Sequence, residues 1–307
     1  MYLEKRSVQY ALLLFMAFIW GSSFILMKTG LKSFESNQAA AIRIASASIV
    51  LLPLSIYHLR KLKWKDLRSI LIAGYIGSFL PAFLFTKAQT HIDSAMAGML
   101  NSLTPMFTLF IGLIFYKIEA KKMQYIGLFV ALCGALGLIG WGKGLDLSEI
   151  DSYALLIILA TLFYGISMNE IKSRLSHYSG IETTSFIFIF LLPAAIGYLL
   201  TTDLTPALAN EGWGLHLTAL ITLGVVGTAF TLILMNSLIR YTAPIFVSST
   251  TYIIPIFAIG WGLLDGETIE PVHLIFMALI LAGVYLINTK GKIRIIAHVR
   301  MLARRKP

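Results

Sequence analysis

Apolar residues occur in runs of about twenty, separated by short polar breaks, from one end of the chain to the other. As an α-helix, a run of this length spans the roughly 30 Å hydrocarbon core of a bilayer. The pattern predicts an all-α membrane protein with ten transmembrane helices, over residues 8–29, 38–57, 67–87, 94–116, 123–141, 152–171, 183–201, 216–237, 244–264 and 272–290. The first run is too long for a signal peptide and has no small-residue cleavage site, so we interpret it as a retained helix.

Composition and charge agree with a membrane protein. Of the 307 residues, 57% are hydrophobic and 13% are charged, which excludes an ordinary soluble domain. If the N-terminus is cytoplasmic, most basic residues fall in cytoplasmic breaks and most acidic residues in the opposite ones. The positive-inside rule therefore predicts an inner-membrane protein with both termini in the cytoplasm. It also explains the net charge of +10 without a nucleic-acid partner.

The chain resembles itself at half its length. Residues 20–31 align with residues 164–175, and residues 74–113 align without a gap with residues 224–263. The matched pairs include Gly21/Gly165, Ser23/Ser167, Gly77/Gly227, Pro105/Pro255 and Phe107/Phe257. Because each half holds five helices, an odd number, the halves must enter the membrane from opposite sides. Inverted repeats around a central cavity are typical of secondary transporters.

Three segments carry a family resemblance: WGSSF from Trp20, SAMAGMLNSLTPMFTLFIGLIFYKIE from Ser94 and APIFVSSTTYIIPIFAIGWGLLDGE from Ala243. They resemble the EamA-type permeases of the drug/metabolite transporter superfamily, as two domains over residues 9–141 and 152–290. The resemblance implies ten helices around a cavity and the transport, usually export, of small metabolites such as amino acids or nucleobases. One departure is that the Gly-Glu closing the fourth helix of each half occurs only in the second half, as Gly266-Glu267, while Tyr116-Lys117 stands in the first half.

We therefore expect a secondary transporter that exports amino acids or related small metabolites by alternating access. A proton-coupled multidrug or nucleobase efflux carrier is the alternative, although no Asp, Glu or His lies near the middle of a predicted span. An intramembrane enzyme is a remote third hypothesis, because the spans contain no aspartate pair, Ser-His arrangement or His-Glu-x-x-His motif. We expect no cofactor, and the single cysteine, Cys133, indicates no metal cluster.

Two prolines mark a candidate substrate site. Pro105 and Pro255 lie near the middle of the fourth and ninth spans, where each is expected to kink its helix and release the carbonyl four residues earlier. Those carbonyls belong to Asn101 and Thr251, and symmetric broken helices at this depth indicate a transporter site. The alternative is that each proline only kinks its helix and the polar neighbour repairs the local hydrogen bonding.

Aromatic residues and hydroxyls one helical turn apart, Trp20 with Ser23 and Tyr164 with Ser167, suit planar or zwitterionic metabolites. Aromatics that face lipid and serines that pack helices are the alternative interpretation. The predicted substrate-binding residues are Trp20, Ser23, Gln89, Asn101, Tyr164, Asn169, Asn236, Thr251 and Tyr252.

Charges near the ends of spans allow two interpretations. Lys28 and Lys172, which are repeat mates, and Arg43 and Lys87 could each attract an anionic substrate or extend to the lipid headgroups.

Small residues recur every four positions in the last span of each half, at Gly127, Ala131 and Ala135 and at Ala278 and Ala282. This spacing permits close packing either inside the protein or in a homodimer. The basic residues of the tail, 291–307, alternate with apolar ones at helical spacing, which predicts an amphipathic helix on the cytoplasmic leaflet.

Overall fold

The structure is a computed structural model that describes residues 4–140 and 152–288, and the described residues form helices and turns without a β-strand. The helical spans are Arg6–Gly30 (α1), Ser36–Leu59 (α2), Trp64–Ala88 (α3), Ser94–Phe115 (α4), Lys122–Gly140 (α5), Ser152–Arg174 (α6), Gly180–Thr201 (α7), Trp213–Tyr241 (α8), Pro244–Leu264 (α9) and Pro271–Asn288 (α10). A short helix, Thr205–Ala209, precedes α8.

These bounds lie within a few residues of the predicted ones, and the all-α membrane class is confirmed for the described residues. Eight helices are long and apolar enough to cross a membrane, judged by length and composition. The apolar parts of α5 and α10, Lys122–Leu138 and Pro271–Ile287, are shorter. The predicted amphipathic tail lies outside the described residues.

Two spans are broken where the prolines were predicted to kink them. In α4, one helical segment ends at Asn101 and a second begins at Thr104. In α9, a tighter turn over Ser249–Tyr252 precedes a second segment that begins at Ile254. Each proline therefore lies in the first turn of a new segment, where its missing N–H removes no helical hydrogen bond. The result is a break in the helix rather than a bend.

Two other spans contain wide π-helical turns, over Ile72–Phe79 in α3 and Val225–Phe230 in α8. Threonine hydroxyls donate hydrogen bonds to backbone carbonyls in the wide turns of α8. Thr228 donates to the carbonyl of Leu223 at 3.0 Å, five residues earlier in the chain. Such π-turns occur frequently at functional sites because they widen the helix and redirect its side chains.

The helices pack mainly across the boundary between the two halves. The first helix of each half contacts the third and fourth spans of the other half, so α1 packs on α8 and α9 while α6 packs on α3 and α4. The second spans, α2 and α7, pack on each other, and so do the fifth spans, α5 and α10. The protein core therefore lies between the halves rather than within each one.

Glycines make the closest of these contacts possible. A Cβ on Gly21 of α1 would collide with the Cβ of Phe257 on α9, and a Cβ on Gly165 of α6 would lie 2.8 Å from the backbone of Phe107 on α4. Each glycine is thus required by the close approach of a neighbouring helix.

A second set of contacts joins the wide turns to the first helices of the opposite half. A Cβ on Gly77 would overlap the side chain of Ser167, and a Cβ on Gly227 would lie 3.0 Å from the hydroxyl of Ser23. The partners in one contact are the repeat mates of the partners in the other, as Gly77 aligns with Gly227 and Ser23 with Ser167.

The bundle has two ends, which we name after a lysine at each. The Lys28 end is formed by residues 31–35, 89–93, 202–212 and 265–270, and the Lys172 end by residues 60–63, 116–121, 175–179 and 242–243. Lys28 bonds to Glu267 at the first end, and Lys61 bonds to Glu182 at the second.

The small residues of α5 pack inside the protein. Ala131 and Ala135 are buried, and a Cβ on Gly127 would meet the backbone of Gly283 on α10. The other predicted pair, Ala278 and Ala282 on α10, is exposed. The stripe on α5 is therefore used for internal packing of the two fifth spans, and a homodimer stays a prediction.

Candidate functional site

A cavity of about 90 Å³ lies near the middle of the bundle between the two halves. This volume is several times the roughly 10–15 Å³ that one water molecule requires. The lining residues are Trp20, Ser23, Phe24, Met27, Arg43, Gly77, Ser78, Phe85, Asn101, Thr104, Tyr164, Ser167, Met168, Gly227, Thr228, Leu232, Met235 and Thr251. They come from both halves and include residues of both broken helices and both wide turns.

Five of the nine predicted substrate-binding residues line this cavity, namely Trp20, Ser23, Asn101, Tyr164 and Thr251. The carbonyl of Asn101 accepts a bond from the Thr104 hydroxyl at 2.8 Å, which repairs the local hydrogen bonding at the break. In α4 the same residue lines the cavity and has its carbonyl satisfied, and a substrate site at the prolines stays a prediction. Substrate binding by these five residues stays a prediction.

Gln89 and Asn169 do not line the cavity. The Gln89 amide donates to the carbonyl of Phe24 at 3.2 Å. The amide of Asn169 donates to the carbonyls of Thr108 and Gly165 at 2.9 and 2.8 Å. Both amide nitrogens thereby connect adjacent helices at buried positions, where an unpaired donor is costly.

Asn236 and Tyr252 also lie outside the lining. The Asn236 amide donates to the hydroxyl of Thr184 at 3.0 Å, which joins α8 to α7. The Tyr252 hydroxyl donates to the carbonyl of Val284 at 3.0 Å, which joins α9 to α10. Sequence position located these polar residues inside spans, but it did not distinguish side chains that face a neighbouring helix from those that face the cavity.

One member of each aromatic and hydroxyl pair in α1 and α6 bonds to a wide turn of the opposite half. The Trp20 indole donates to the carbonyl of Gly227 at 2.9 Å, and the Ser167 hydroxyl donates to the carbonyl of Ala73 at 3.2 Å. Wide turns leave carbonyls without ordinary helical partners, so side chains from the opposite half satisfy them. These bonds hold α1 and α6 against the cavity walls.

Arg43 is the charged residue of the site, and sequence reasoning placed it near the outer end of its span. In the structure it is half-buried on α2 and lines the cavity. Its Nε donates to the hydroxyl of Thr228 at 2.8 Å, and its side chain also interacts with Tyr164. The signal for this location was available, because a charge two turns inside an apolar span favours an interior position. No feature of the sequence indicated that Thr228 lines the cavity.

The Lys28 end is held by a cluster of charges. Lys28 Nζ lies 2.7 Å from a carboxylate oxygen of Asp265 and 2.8 Å from one of Glu267. The Glu267 carboxylate also accepts the backbone N–H groups of Ser94 and Ala95, each at 3.0 Å. It therefore joins α1 to the beginning of α4, and Lys28 is paired with acids of this protein rather than extended into headgroups.

The Gly-Glu motif explains how Glu267 reaches α4. Gly266 has a φ of +82°, a left-handed conformation that glycine adopts without strain and that ends α9. The N–H of Glu267 then bonds to the carbonyl of Gly262 at 2.8 Å. Burial acts to raise the pKa of Glu267, but the bonds from Lys28, Ala95 and Ser94 outweigh it and hold this pKa below the ordinary 4.5.

The Lys172 end contains a second buried carboxylate. Glu170 accepts the hydroxyls of Ser69 and Tyr116 and lies 3.2 Å from Arg174 Nε. Burial and the bond to Glu170 raise the pKa of Tyr116, which keeps its phenol neutral and able to donate. Lys172 donates instead to backbone carbonyls at the end of α8. The bonds to Glu170 connect α3, α4 and α6, and those of Lys172 connect α6 to α8.

Two segments of the chain, residues 8–140 and 151–289, each match the model of the EamA-like transporter family. The chain belongs to the EamA-like transporter family. The EamA-like chain is 27% identical over 288 residues to the inner membrane transporter YedA of Escherichia coli strain K12, which covers 89% of the chain and 88% of YedA. It is 23% identical over 283 residues to a probable terminal-alkyne amino-acid exporter of Streptantibioticus cattleyicolor, covering 88% of the chain and 90% of that exporter.

A solved crystal structure has the same fold as this EamA-like protein, with a TM-score of 0.66 at 14% identity, over 98% of this chain and all of the other. The family and the names of its relatives indicate a transporter rather than an enzyme. An EamA-like protein with these apolar helices is a multi-pass membrane transporter that acts on a small molecule.

Proposed function

We propose that this protein is a secondary transporter that exports small metabolites, such as amino acids or related compounds, across the inner membrane by alternating access. The observation that carries the proposal is a cavity near the middle of the bundle, bounded by broken and widened helices from both halves. The Streptantibioticus relative is named a probable terminal-alkyne amino-acid exporter, which supports the substrate class and the direction.

The proposal includes two inverted five-helix repeats, over residues 9–141 and 152–290. Repeat-related contacts support it, because Gly21 meets Phe257 while its mate Gly165 meets Phe107, the mate of Phe257. Ring contacts support it as well. Near the start of α1, the ring centroid of Tyr10 lies 5.7 Å from that of Phe246, at the Lys172 end.

An aromatic ring near the start of α6 lies at the other end of the bundle. Tyr153 stacks on His91 at 3.8 Å, beside the Lys28 end. Helices that begin at opposite ends of the bundle are what inverted repeats require. With both termini in the cytoplasm, the Lys172 end is the cytoplasmic end and the Lys28 end faces outward.

Alternating access then follows from exchange between two similar arrangements. The Lys28 cluster joins α1, α4 and α9, and the Glu170 cluster joins α3, α4 and α6. Rocking of one half against the other breaks one cluster while the other stays closed, so the cavity opens to one side at a time. The tail over residues 291–307 lies on the cytoplasmic leaflet in this proposal.

Solute flux in liposomes tests the proposal. The purified protein is reconstituted and screened against amino acids, nucleobases and cationic drugs, with and without a pH gradient. We expect saturable movement of amino acids or related compounds that does not require the pH gradient. Movement of cationic drugs alone, driven by the gradient, would support the efflux alternative, and no movement of any solute would contradict the transporter proposal.

A further inference from the structure

We propose that the cavity binds a carboxylate group through Arg43, and that the preferred substrates are small organic acids with an apolar body. This inference rests on the proposed transport function and specifies its substrate class. Among the described residues that line the cavity, Arg43 is the only charged one.

An arginine in the interior of a membrane protein is costly unless an anion or hydrogen-bond acceptors compensate for its charge. Within the described part of the chain, no carboxylate forms an ion pair with Arg43. The two buried carboxylates among the described residues are used at the ends of the bundle, Glu267 by Lys28 and Glu170 by Arg174. The positive charge of Arg43 is therefore left for a ligand in the cavity.

The guanidinium group also has hydrogen-bonding capacity to spare. It carries five N–H donors in a planar fork that fits a carboxylate with two parallel bonds. In the structure, Nε donates to the hydroxyl of Thr228, and the guanidinium group also interacts with the side chain of Tyr164. Two neutral hydroxyls satisfy only part of the donor set, so a bound carboxylate can still be held by the remaining donors.

The remaining lining fits the apolar part of such a ligand. Trp20, Phe24, Phe85, Met168 and Leu232 present aromatic and aliphatic surface to the cavity. Because no acidic side chain lines the cavity among the described residues, an ammonium group finds no ion-pair partner there. Organic cations are repelled by Arg43, and an amine is not required for binding.

A purely structural role for Arg43 is the competing explanation, since its bond to Thr228 joins α2 to α8. That role predicts lower stability of the substituted protein without a change in which ligands it prefers. A recognition role predicts a selective loss of affinity for ligands that carry a carboxylate.

The test uses matched probes and the full-length protein in detergent. L-leucine, 4-methyl-2-oxopentanoate and L-leucinamide share one branched body, and L-phenylalanine, phenylpyruvate and L-phenylalaninamide share an aromatic one. Affinities are measured by titration calorimetry for wild type, Arg43→Gln and Arg43→Lys. Lys87→Gln is the matched control, because it removes an exposed positive charge on α3 from outside the cavity.

We expect at least one set in which wild type binds both acids and binds the amide at least about 10-fold more weakly. In that set Arg43→Gln should weaken binding of the acids by about 10- to 100-fold, as expected for loss of a charged hydrogen-bonded partner. It should leave binding of the amide unchanged or make it tighter, because the substitution removes the repulsion between Arg43 and the ammonium group, while Arg43→Lys retains part of the preference for the acids. Should Arg43→Gln fail to fold, Thr228→Val keeps the charge but releases Nε, and a smaller loss for the acids alone is expected.

The inference is overturned if wild type binds the amides as tightly as the acids, if no acid binds, or if folded Arg43→Gln keeps the acid preference. Flux separates this failure from failure of the proposed function. Solute movement by wild type with an unchanged preference in Arg43→Gln refutes the carboxylate site and leaves the transporter. Selective acid binding without flux of any solute supports the site and refutes the transporter.

Discussion

Replacing Glu267 tests whether the Lys28 cluster stabilises the fold as its geometry suggests. The side chain of Glu267 is 2% exposed, and Glu267→Ala leaves two backbone N–H groups at the start of α4 without their acceptor. Each buried donor left unsatisfied costs about 1–3 kcal/mol. Lys28 is 31% exposed and keeps its ion pair with Asp265, so its loss of Glu267 adds little to the destabilisation. We expect Glu267→Ala to lower the free energy of unfolding by about 2–6 kcal/mol, twice the cost of one unsatisfied donor.

Asp265→Asn is the matched control, since both carboxylates bond to the same lysine. Asp265 is 30% exposed, and exposed ion pairs contribute about 0–1 kcal/mol. Thermal unfolding in detergent at pH 7 should therefore show a fall of roughly 5–10 °C for Glu267→Ala and less than about 3 °C for Asp265→Asn. Equal shifts for the two variants would refute the assignment of the stabilisation to the buried carboxylate.

The pH dependence gives an independent measurement of the same contact. Because its pKa is lowered in the folded protein, Glu267 contributes stability that is fully present above its ordinary value of 4.5. That contribution is lost as the pH falls through the lowered pKa. The melting temperature of wild type should fall more steeply below pH 4.5 than that of Glu267→Gln, and parallel curves would contradict this linkage.

Two further predictions concern packing and the site. Gly283→Leu should destabilise the protein by about 1–3 kcal/mol or more, since its Cβ would meet the backbone of α5, whereas Gly197→Ala, with no atom within 4 Å, should leave the melting temperature unchanged or slightly higher. Equal melting temperatures would contradict the α5–α10 contact. Asn101→Ala and Thr251→Ala should weaken substrate binding by about 3- to 10-fold, while Asn169→Ala should lower stability and leave affinity unchanged. Unchanged affinity in the first two would exclude them from the site.

Much of the fold was predictable because hydropathy reports directly on burial in lipid. The span boundaries and the matched positions of Pro105 and Pro255 followed from the sequence. The breaks differed from the predicted kinks because a proline in the first turn of a new segment avoids the cost of a missing bond. The π-turns in α3 and α8 left no recognisable pattern, since their carbonyls are satisfied by a hydroxyl of the same helix at Thr228 and by one from the opposite half at Ser167.

The site was less predictable because rotation of a helix decides what a side chain faces. Asn101 and Asn169 are both polar residues within apolar spans, yet one lines the cavity and the other bonds to neighbouring backbone. Arg43 was located by sequence but not assigned to the interior, because a long side chain near a helix end can also reach the headgroups. Contacts between the halves resolve these alternatives, and a single sequence does not specify them.

Flux through a blocked cavity tests the central claim most directly. Ser78 lines the cavity, and Ser78→Trp adds a side chain large enough to fill its volume of about 90 Å³. Phe129→Trp, at a position 68% exposed on α5, is the control for an added indole. With an organic acid that wild type carries saturably in liposomes, we expect Ser78→Trp to abolish flux and Phe129→Trp to retain it. Saturable flux at the wild-type rate in folded Ser78→Trp would contradict passage through this cavity.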